Sequence, residues 1–420
     1  MELTRLQRYT ITKVSDIIDI QFKHITTYLA RIPMTRINYS SRQKQIIVKR
    51  TAITQTIAQY IMIILMFILS QRWFTTFDAF IHVCEQVLKI DQYEDFIYTG
   101  IIGFVAFEII VSNTFNEVYH YRCGLLDVAG EVAEYQFRSS ECRELIKSFL
   151  RISTIDGIMY KIAAYGLIPL TIHMNIQAII DYMNNEITII ELPVCWLYSF
   201  GTNGYASVSL SLLFIVMPHL YFMMLVFQIR VNHCLQDAQI AIQTQSRIYL
   251  MKFVYNYIHL HRWINVYNSS IRNHIATHDM VFKVSGMVSI TFYIKQEQKL
   301  NQFAYLILGL YLATYGTFLF VESRLTYFPK RNERLYRSMN GLNAKLCHNH
   351  NLHIQRRWQR ISNLGEVRYV FVLNRMCDFL SNNRFGFTYG RSYIITNSSI
   401  ANALIGNFYM FVLFYKRLAV

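Results

Sequence analysis

The chain has 420 residues, of which 53% are hydrophobic, and a formal net charge of +15. Several separate apolar runs of about 20 residues exclude an ordinary soluble domain and predict a polytopic membrane protein. The charge does not indicate nucleic-acid binding, because the basic residues flank the apolar runs, where they would face lipid headgroups and the cytosol.

Residues 1–50 are predicted to be a cytoplasmic N-terminal segment. They carry ten Lys and Arg against three acidic residues, and the positive-inside rule keeps such a segment in the cytosol. Charged residues interrupt this segment, so it has no continuous apolar core of the kind that a signal peptide needs, and we expect no cleavable signal peptide.

Residues 51–322 are predicted to form a six-helix transmembrane bundle. The loops after the first and third spans are acidic and suit the outside, whereas residues 116–155 and 228–280 are predicted to be helical cytoplasmic extensions. Glu108 lies in the second span, where a carboxylate either bonds a neighbouring helix or helps to handle a ligand or ion. The predicted spans are 52–70, 96–115, 157–180, 196–228, 281–295 and 303–322.

Residues 323–390 are the most basic part of the chain and are predicted to be cytoplasmic anchor helices. Within them, residues 365–380 have the pattern of an amphipathic helix. A seventh span, from Tyr393 to Tyr415, runs outward in the segment 391–420 and leaves a short extracellular tail. The predicted fold is therefore all-α, a multi-pass plasma-membrane protein with seven transmembrane helices, its N-terminus inside and its C-terminus outside.

The seventh span has a small or polar stripe along one helical face. Spacings of three and four residues place these side chains together, and a spanning helix with such a stripe needs a protein neighbour or water on that side. Either packing within the chain or a water-lined path explains the pattern. The stripe consists of Ser399, Asn402, Gly406, Tyr409 and Leu413, and three residues further on it reaches Lys416.

The cysteines and histidines give no catalytic or metal signature. Cys84 and Cys195 fall near the predicted outer face, where they either pair or stay unpaired. Histidines cluster at 259–261, 274–278 and 348–353, but without the spacing of a di-iron enzyme. No phosphate loop or nucleophile motif is present. We therefore predict no enzyme, metal or cofactor, and a histidine-dependent membrane enzyme is the least favoured alternative.

Three stretches of the sequence resemble the insect chemoreceptor superfamily of gustatory and odorant receptors. Gustatory receptors end in Thr-Tyr, five hydrophobic residues and Gln-Phe, and the same register here has Tyr409 and the run 410–414 but not the Thr, Gln or Phe. Residues 385–407 resemble the family's Gly-Phe turn and short helix ahead of the pore helix. Residues 255–287 resemble the pattern that leads into its fifth span. The inverted seven-span layout is also similar, whereas G-protein-coupled receptors have the opposite orientation.

The resemblance implies a divergent gustatory receptor: a tetrameric, ligand-gated, non-selective cation channel whose seventh helix lines the pore. The stripe from Ser399 to Lys416 then becomes the pore face. A small-molecule ligand would bind in the outer half of the bundle, and the partners would be membrane lipid and other copies or related subunits, giving a homotetramer or heterotetramer. The ligand-binding candidates are Tyr98, His173, Asn175, Asn203, Tyr205, Thr291 and Tyr305. The alternative is a receptor-like membrane protein that kept the fold without channel gating and acts through protein interactions.

Two further expectations follow from the resemblance. Lys416 and Arg417 either ring the outer pore mouth with positive charge or extend sideways to lipid headgroups. Subunits are expected to associate through the cytosolic helices 228–280 and 323–390, where apolar side chains need a partner. These side chains are Tyr369, Phe371, Val372, Met376 and Phe379.

Overall fold

The structure is a computed structural model, and it covers most of the predicted helical segments. Spans 52–70 and 96–115, together with Tyr98 and Glu108, lie outside the described residues, as do most of span 303–322 and Tyr305. The described residues are 13–29, 37–40, 45–48, 75–88, 124–165, 168–244, 246–295, 316, 319–356, 364–382, 385–389 and 393–418.

The described part of the chain is all-α in class, as predicted. Its helices are α1 (Val14–Leu29), α2 (Thr75–Leu88), α3 (Gly124–Glu134), α4 (Ser139–Tyr165), α5 (Ile168–Met183), α6 (Glu191–Thr244), α7 (Arg247–Lys295), α8 (Tyr327–Arg356), α9 (Leu364–Asn382) and α10 (Asn397–Leu418). Two short antiparallel ribbons accompany them: β1 (Ile37–Ser40) with β2 (Gln45–Val48), and β3 (Thr388–Tyr389) with β4 (Tyr393–Ile394). Among the described residues, none of the helices combines the length and apolar character needed to cross a membrane.

The helix bounds differ from the predicted spans in informative places. Within the predicted third span, α4 ends at Tyr165 and α5 begins at Ile168, and residues 166–167 lie outside the described residues. Pro169 is the second residue of α5, where its missing N–H falls among those that have no helical acceptor. In contrast, α6 continues through Pro218, which lies within the predicted fourth span.

The chain forms two compact units, and the first comprises 1–222, 277–318 and 407–420. Within it, α2 packs against α5 and the start of α6 around a buried apolar cluster. Phe80 stacks on Tyr198 there, with ring centroids 5.2 Å apart. The buried members are Ala79, Phe80, Ile81, Val83, Cys84, Met174, Ala178, Ile187, Cys195 and Tyr198.

The pairing of Cys84 with Cys195 was left open by the sequence, and both are in the thiol form. Burial raises the pKa of the Cys195 thiol to about 12, and the negative charges of Glu191 and Asp181 add to this shift. A thiol in that environment stays protonated at neutral pH, so it is a poor nucleophile.

The second unit comprises 223–276 and 319–406. It contains the later part of α6, the earlier part of α7, helices α8 and α9, and the ribbon β3–β4. The amphipathic helix predicted at 365–380 is confirmed as α9. Its apolar side buries Leu373, Met376, Cys377 and Leu380 within the unit.

Candidate functional site

The candidate site is the C-terminal segment from Phe385 to Leu418, because the predicted pore helix lies there. The expectation of a short helix ahead of the pore helix is wrong, because β3 and β4 pair there, with Thr388 opposite Ile394. Gly386 explains the difference: its φ of 143° is far from a right-handed helix and strained for any residue with a side chain. The ribbon continues into a hydrogen bond of 2.8 Å from the Ile395 N–H to the Phe387 carbonyl.

The start of the ribbon is fixed by Phe387, whose ring lies among three other buried rings, one each from α6, α7 and α8. Phe227 of α6 lies 5.3 Å from Tyr267 of α7 and 6.3 Å from Phe387, measured between ring centroids. Phe328 of α8 lies 5.3 Å from Phe387, with the rings at 63°. Edge-to-face pairs at such distances each add about 0.5–1.5 kcal/mol beyond their area burial. The four rings, here called the aromatic box, fix Phe387 on the second unit.

Two hydrogen bonds fasten the ribbon to α7. The Asn268 amide donates to Thr388 Oγ1 at 3.2 Å, and the Thr388 backbone N–H donates to Asn268 Oδ1 at 3.0 Å. This reciprocal pair satisfies a backbone donor that β3 would otherwise leave without a partner. The ribbon therefore has both an apolar and a polar attachment to the second unit.

A second aromatic group lies around Tyr257 of α7. Its ring stacks on Phe385 at 5.3 Å, and its hydroxyl donates to Asn332 Oδ1 in α8. Asn332 in turn donates to the Leu380 carbonyl at 3.2 Å. Burial raises the pKa of Tyr257, so the phenol remains a neutral donor. The Tyr257 hydroxyl thus links α7 to α8, and the Asn332 amide links α8 to α9.

The histidines at 259–261 lie among aromatic rings. His259 lies 5.0 Å from Trp263, and His261 lies 5.4 Å from Phe379 and 6.0 Å from Phe385. The side chains at 274, 278 and 348–353 lie outside the described residues.

Helix α10 begins with a reciprocal cap. The Thr396 N–H donates to Ser399 Oγ at 2.7 Å, and the Ser399 N–H donates to Thr396 Oγ1 at 3.2 Å. This arrangement is a capping box, with Ser in place of the usual acidic or amide residue. Ser399, predicted to line the pore, is half-buried and bonded at the helix start. The helix itself begins at Asn397, four residues after the predicted start of the span.

Beyond this cap, the described side chains of α10 are largely exposed. Asn402, Gly406, Tyr409 and Leu413 of the predicted stripe are exposed, but so are apolar residues between them. Lys416 lies within the helix, and its side chain lies outside the described residues. The exposed apolar side chains of this helix are Leu404, Ile405, Phe408, Tyr409, Val412 and Leu413.

The structure does not bring the predicted ligand-binding residues into one described site. On α5, His173 is exposed and Asn175 is half-buried. The two residues are two positions apart, which places them about 200° apart around the helix axis. Asn203, Tyr205 and Thr291 are helical, with side chains outside the described residues. The remaining candidates, Tyr98 and Tyr305, lie outside the described residues altogether.

Sequence reasoning missed a polar cluster in the first unit, which we call the outer polar cluster. It joins His82 and Gln86 of α2, Gln177 and Asp181 of α5, and Glu186 in the turn after α5. One ligand atom from each of His82, Asp181 and Glu186 lies within 4.8 Å of the others. The sequence signals are two pairs of polar residues four apart on two helices, with Gln86 and Gln177 separated by 91 positions.

The comparisons with known proteins add no family. No protein-family model matches the chain, and no curated protein matches it significantly.

Proposed function

We propose that the chain is a gustatory-receptor-like chemosensory receptor of the plasma membrane. In this proposal four copies form a ligand-gated, non-selective cation channel, with α10 of each copy along the pore. The observation that supports it most strongly is the contrast within the last helix: its start is fixed, and its body exposes a broad apolar face.

The exposure of α10 is unusual for a helix that completes its contacts within one chain. Ile405, Phe408 and Tyr409 are 67%, 69% and 62% exposed. Spacings of three and four residues place these three side chains on one face of the helix, within an arc of about 100°. A helix that exposes a broad apolar face belongs against lipid or a protein neighbour. A pore helix has both, since one face meets its symmetry mates and another meets lipid.

A second exposed apolar stripe supports assembly of the second unit with its own copies. Ile248, Met251, Tyr255 and Ile258 of α7 are spaced by three and four residues and are all exposed. They lie in segment 228–280, which was predicted to join subunits. In a closed rotational assembly, the same patch meets a neighbour on every copy, so all copies bury it together.

The residues expected to join subunits through α9 divide into two groups. Met376 is buried within the chain's own second unit, and Phe379 packs on Tyr257 and His261. The expectation that Met376 needs another subunit is therefore wrong, whereas Phe379 is still 37% exposed. Phe371 is exposed and stays available for a neighbouring copy. Val372 is half-buried, and the Tyr369 side chain lies outside the described residues.

The test is conduction by the purified full-length chain in a lipid bilayer, with cysteine scanning of α10. We expect a thiol reagent added from the outside to block current in the variant Tyr409→Cys and to leave Phe408→Cys conducting, because the two positions are about 100° apart around the helix.

Equal block at positions 408 and 409 would contradict a pore face along the stripe. A monomer in native mass measurements from mild detergent would remove the basis of the channel. A tetramer without current under a broad panel of tastants would favour the receptor-like alternative that lacks gating.

A further inference from the structure

We propose that the outer polar cluster is a binding site for a divalent transition-metal ion, with Zn²⁺ the best match. Its protein ligands are His82 Nε2, one carboxylate oxygen of Asp181 and one of Glu186. The inference concerns the fold of the first unit and stands independently of the proposed channel function.

The distances suit a metal centre after small side-chain movements. His82 Nε2 and Glu186 Oε2 are 3.4 Å apart. Two ligands of a tetrahedral zinc ion, each about 2.0–2.1 Å from the metal, are about 3.3 Å from each other. All three ligand atoms lie within 4.8 Å of one another. The distance to the Asp181 oxygen needs to shorten by about an ångström or more for a tetrahedral ion. Rotation of the exposed His82 and Glu186 side chains can supply this movement.

Asp181 is the observation that points to a cation. The residue is only 1% exposed, and its Oδ2 atom is buried without a hydrogen-bond donor. Its other oxygen accepts from Gln177 Nε2 at 2.7 Å. A buried carboxylate is costly unless it is paired or coordinates a metal. A cation held between Asp181 and the other two ligands would satisfy the buried oxygen.

Two glutamines connect the three ligands and orient them. Gln177 Nε2 bonds both Asp181 Oδ1 and Gln86 Oε1, the second at 2.8 Å. Gln86 Nε2 in turn lies 2.8 Å from His82 Nε2. With the amide donating, this imidazole nitrogen presents a lone pair, which is the form that a metal requires. A bound ion would displace Gln86 from that lone pair, while Gln177 would keep its bond to Asp181 as an outer-shell support.

The ligand set selects the kind of metal. One imidazole and two carboxylates are ligands that Zn²⁺ accepts, commonly with a fourth position left to water. Calcium prefers six to eight oxygen ligands and magnesium an octahedron rich in water, so neither matches an imidazole-containing set of three. The side chains of His82 and Glu186 are 47% and 45% exposed, which gives an ion access from solvent.

The experiment counts zinc bound to the full-length protein in detergent, after treatment with a chelator and equilibrium dialysis against ZnCl₂. We expect His82→Gln and Glu186→Gln each to lower the affinity for one bound zinc ion at least about tenfold, because even changes to outer-shell residues lower metal affinity by about 10- to 100-fold. His173→Gln is the matched control, since it removes an exposed histidine from α5 outside the cluster. Cobalt substitution adds a readout of its own, because tetrahedral Co²⁺ gives strong visible absorption that the two ligand variants should lose.

The difference in bound zinc between the wild type and the variants reports on this site, because zinc held by other histidines of the chain is present in both. Thermal unfolding without metal checks that the variants fold, and the two exposed positions are chosen so that they do. Equal zinc stoichiometry in the wild type and the double variant His82→Gln/Glu186→Gln would overturn the proposal. So would loss of the same equivalent in His173→Gln, or competition by Ca²⁺ at concentrations similar to Zn²⁺.

Discussion

The aromatic box and the body of α10 use similar side chains in opposite ways. In the box, Phe227, Tyr267, Phe328 and Phe387 come from different parts of the chain and are fully buried against one another. On α10, Phe408 and Tyr409 are mostly exposed. The comparison teaches that apolar content alone does not make a core. Rings stabilise the chain where several elements meet, whereas the exposed rings of α10 have no such contacts among the described residues that bury them.

The largest expected difference is between a ring of the box and a ring of α10. Phe328→Ala should lower the free energy of unfolding by about 3–5 kcal/mol, because it removes a fully buried ring and leaves a cavity. Phe408→Ala should change the stability of the isolated subunit by less than about 0.5 kcal/mol, as exposed positions usually do. Denaturant unfolding of the detergent-solubilised protein measures both. Equal losses would show that α10 is packed like the box.

Glycine positions sharpen the same contrast. At Gly386, a Cβ would lie 3.1 and 3.2 Å from two Pro329 carbons, and the φ of 143° disfavours a side chain. Gly386→Ala should therefore destabilise the protein by about 1–3 kcal/mol. Gly406→Ala, in the exposed helix with nothing within 4 Å of the added carbon, should stabilise α10 by up to about 1 kcal/mol. Melting temperatures of the two variants should shift in opposite directions, and a shared direction would contradict the assignment.

The hydroxyl of Tyr257 tests the polar contribution beneath the aromatic contacts. Tyr257→Phe keeps the ring but leaves the buried Asn332 oxygen without its donor, which should cost about 1–3 kcal/mol. Tyr255→Phe is the matched change at an exposed ring two residues away, and it should be nearly neutral. The two unfolding curves give the difference directly, and coincident curves would mean that water replaces the donor without loss.

The smallest expected effect concerns the cap of α10. Thr396→Ala removes the acceptor for the Ser399 N–H and should cost about 1 kcal/mol, whereas Thr396→Ser should retain most of the stability. Amide exchange in the first turn of α10 is the sensitive measurement, since it reports local opening. Unchanged exchange in Thr396→Ala would show that the ribbon alone fixes the helix start.

The parts of the fold that were predicted from sequence are those with a regular period. The amphipathic pattern at 365–380 gave α9, and the helical extension at 228–280 is largely confirmed in α6 and α7. The ribbon β3–β4 was missed because a pair of two-residue strands has no period, and the deciding feature is the backbone angle of Gly386. Periodicity identified Met376 as apolar, but it does not tell whether the partner is the same chain or another subunit.

The outer polar cluster was missed for a different reason. Its ligands come from two helices and a turn, and His82 and Glu186 are 104 residues apart. Metal motifs are recognised when ligands share one short segment, and here the spacing is set only by how α2 packs against α5. The predicted stripe on α10 was found from its spacing, but exposure on several sides of that helix leaves its pore role as a proposal.

The position of Phe387 has a consequence for the synthesis of the chain. Its neighbours in the aromatic box come from much earlier segments, and the adjacent Thr388 bonds Asn268, 120 residues before it. A ribosome that has released everything up to α9 has therefore still not supplied the fourth ring or the strand that fastens it. The second unit stays open until translation is nearly finished, and a premature stop codon anywhere before position 387 would leave an incomplete core for quality control to remove.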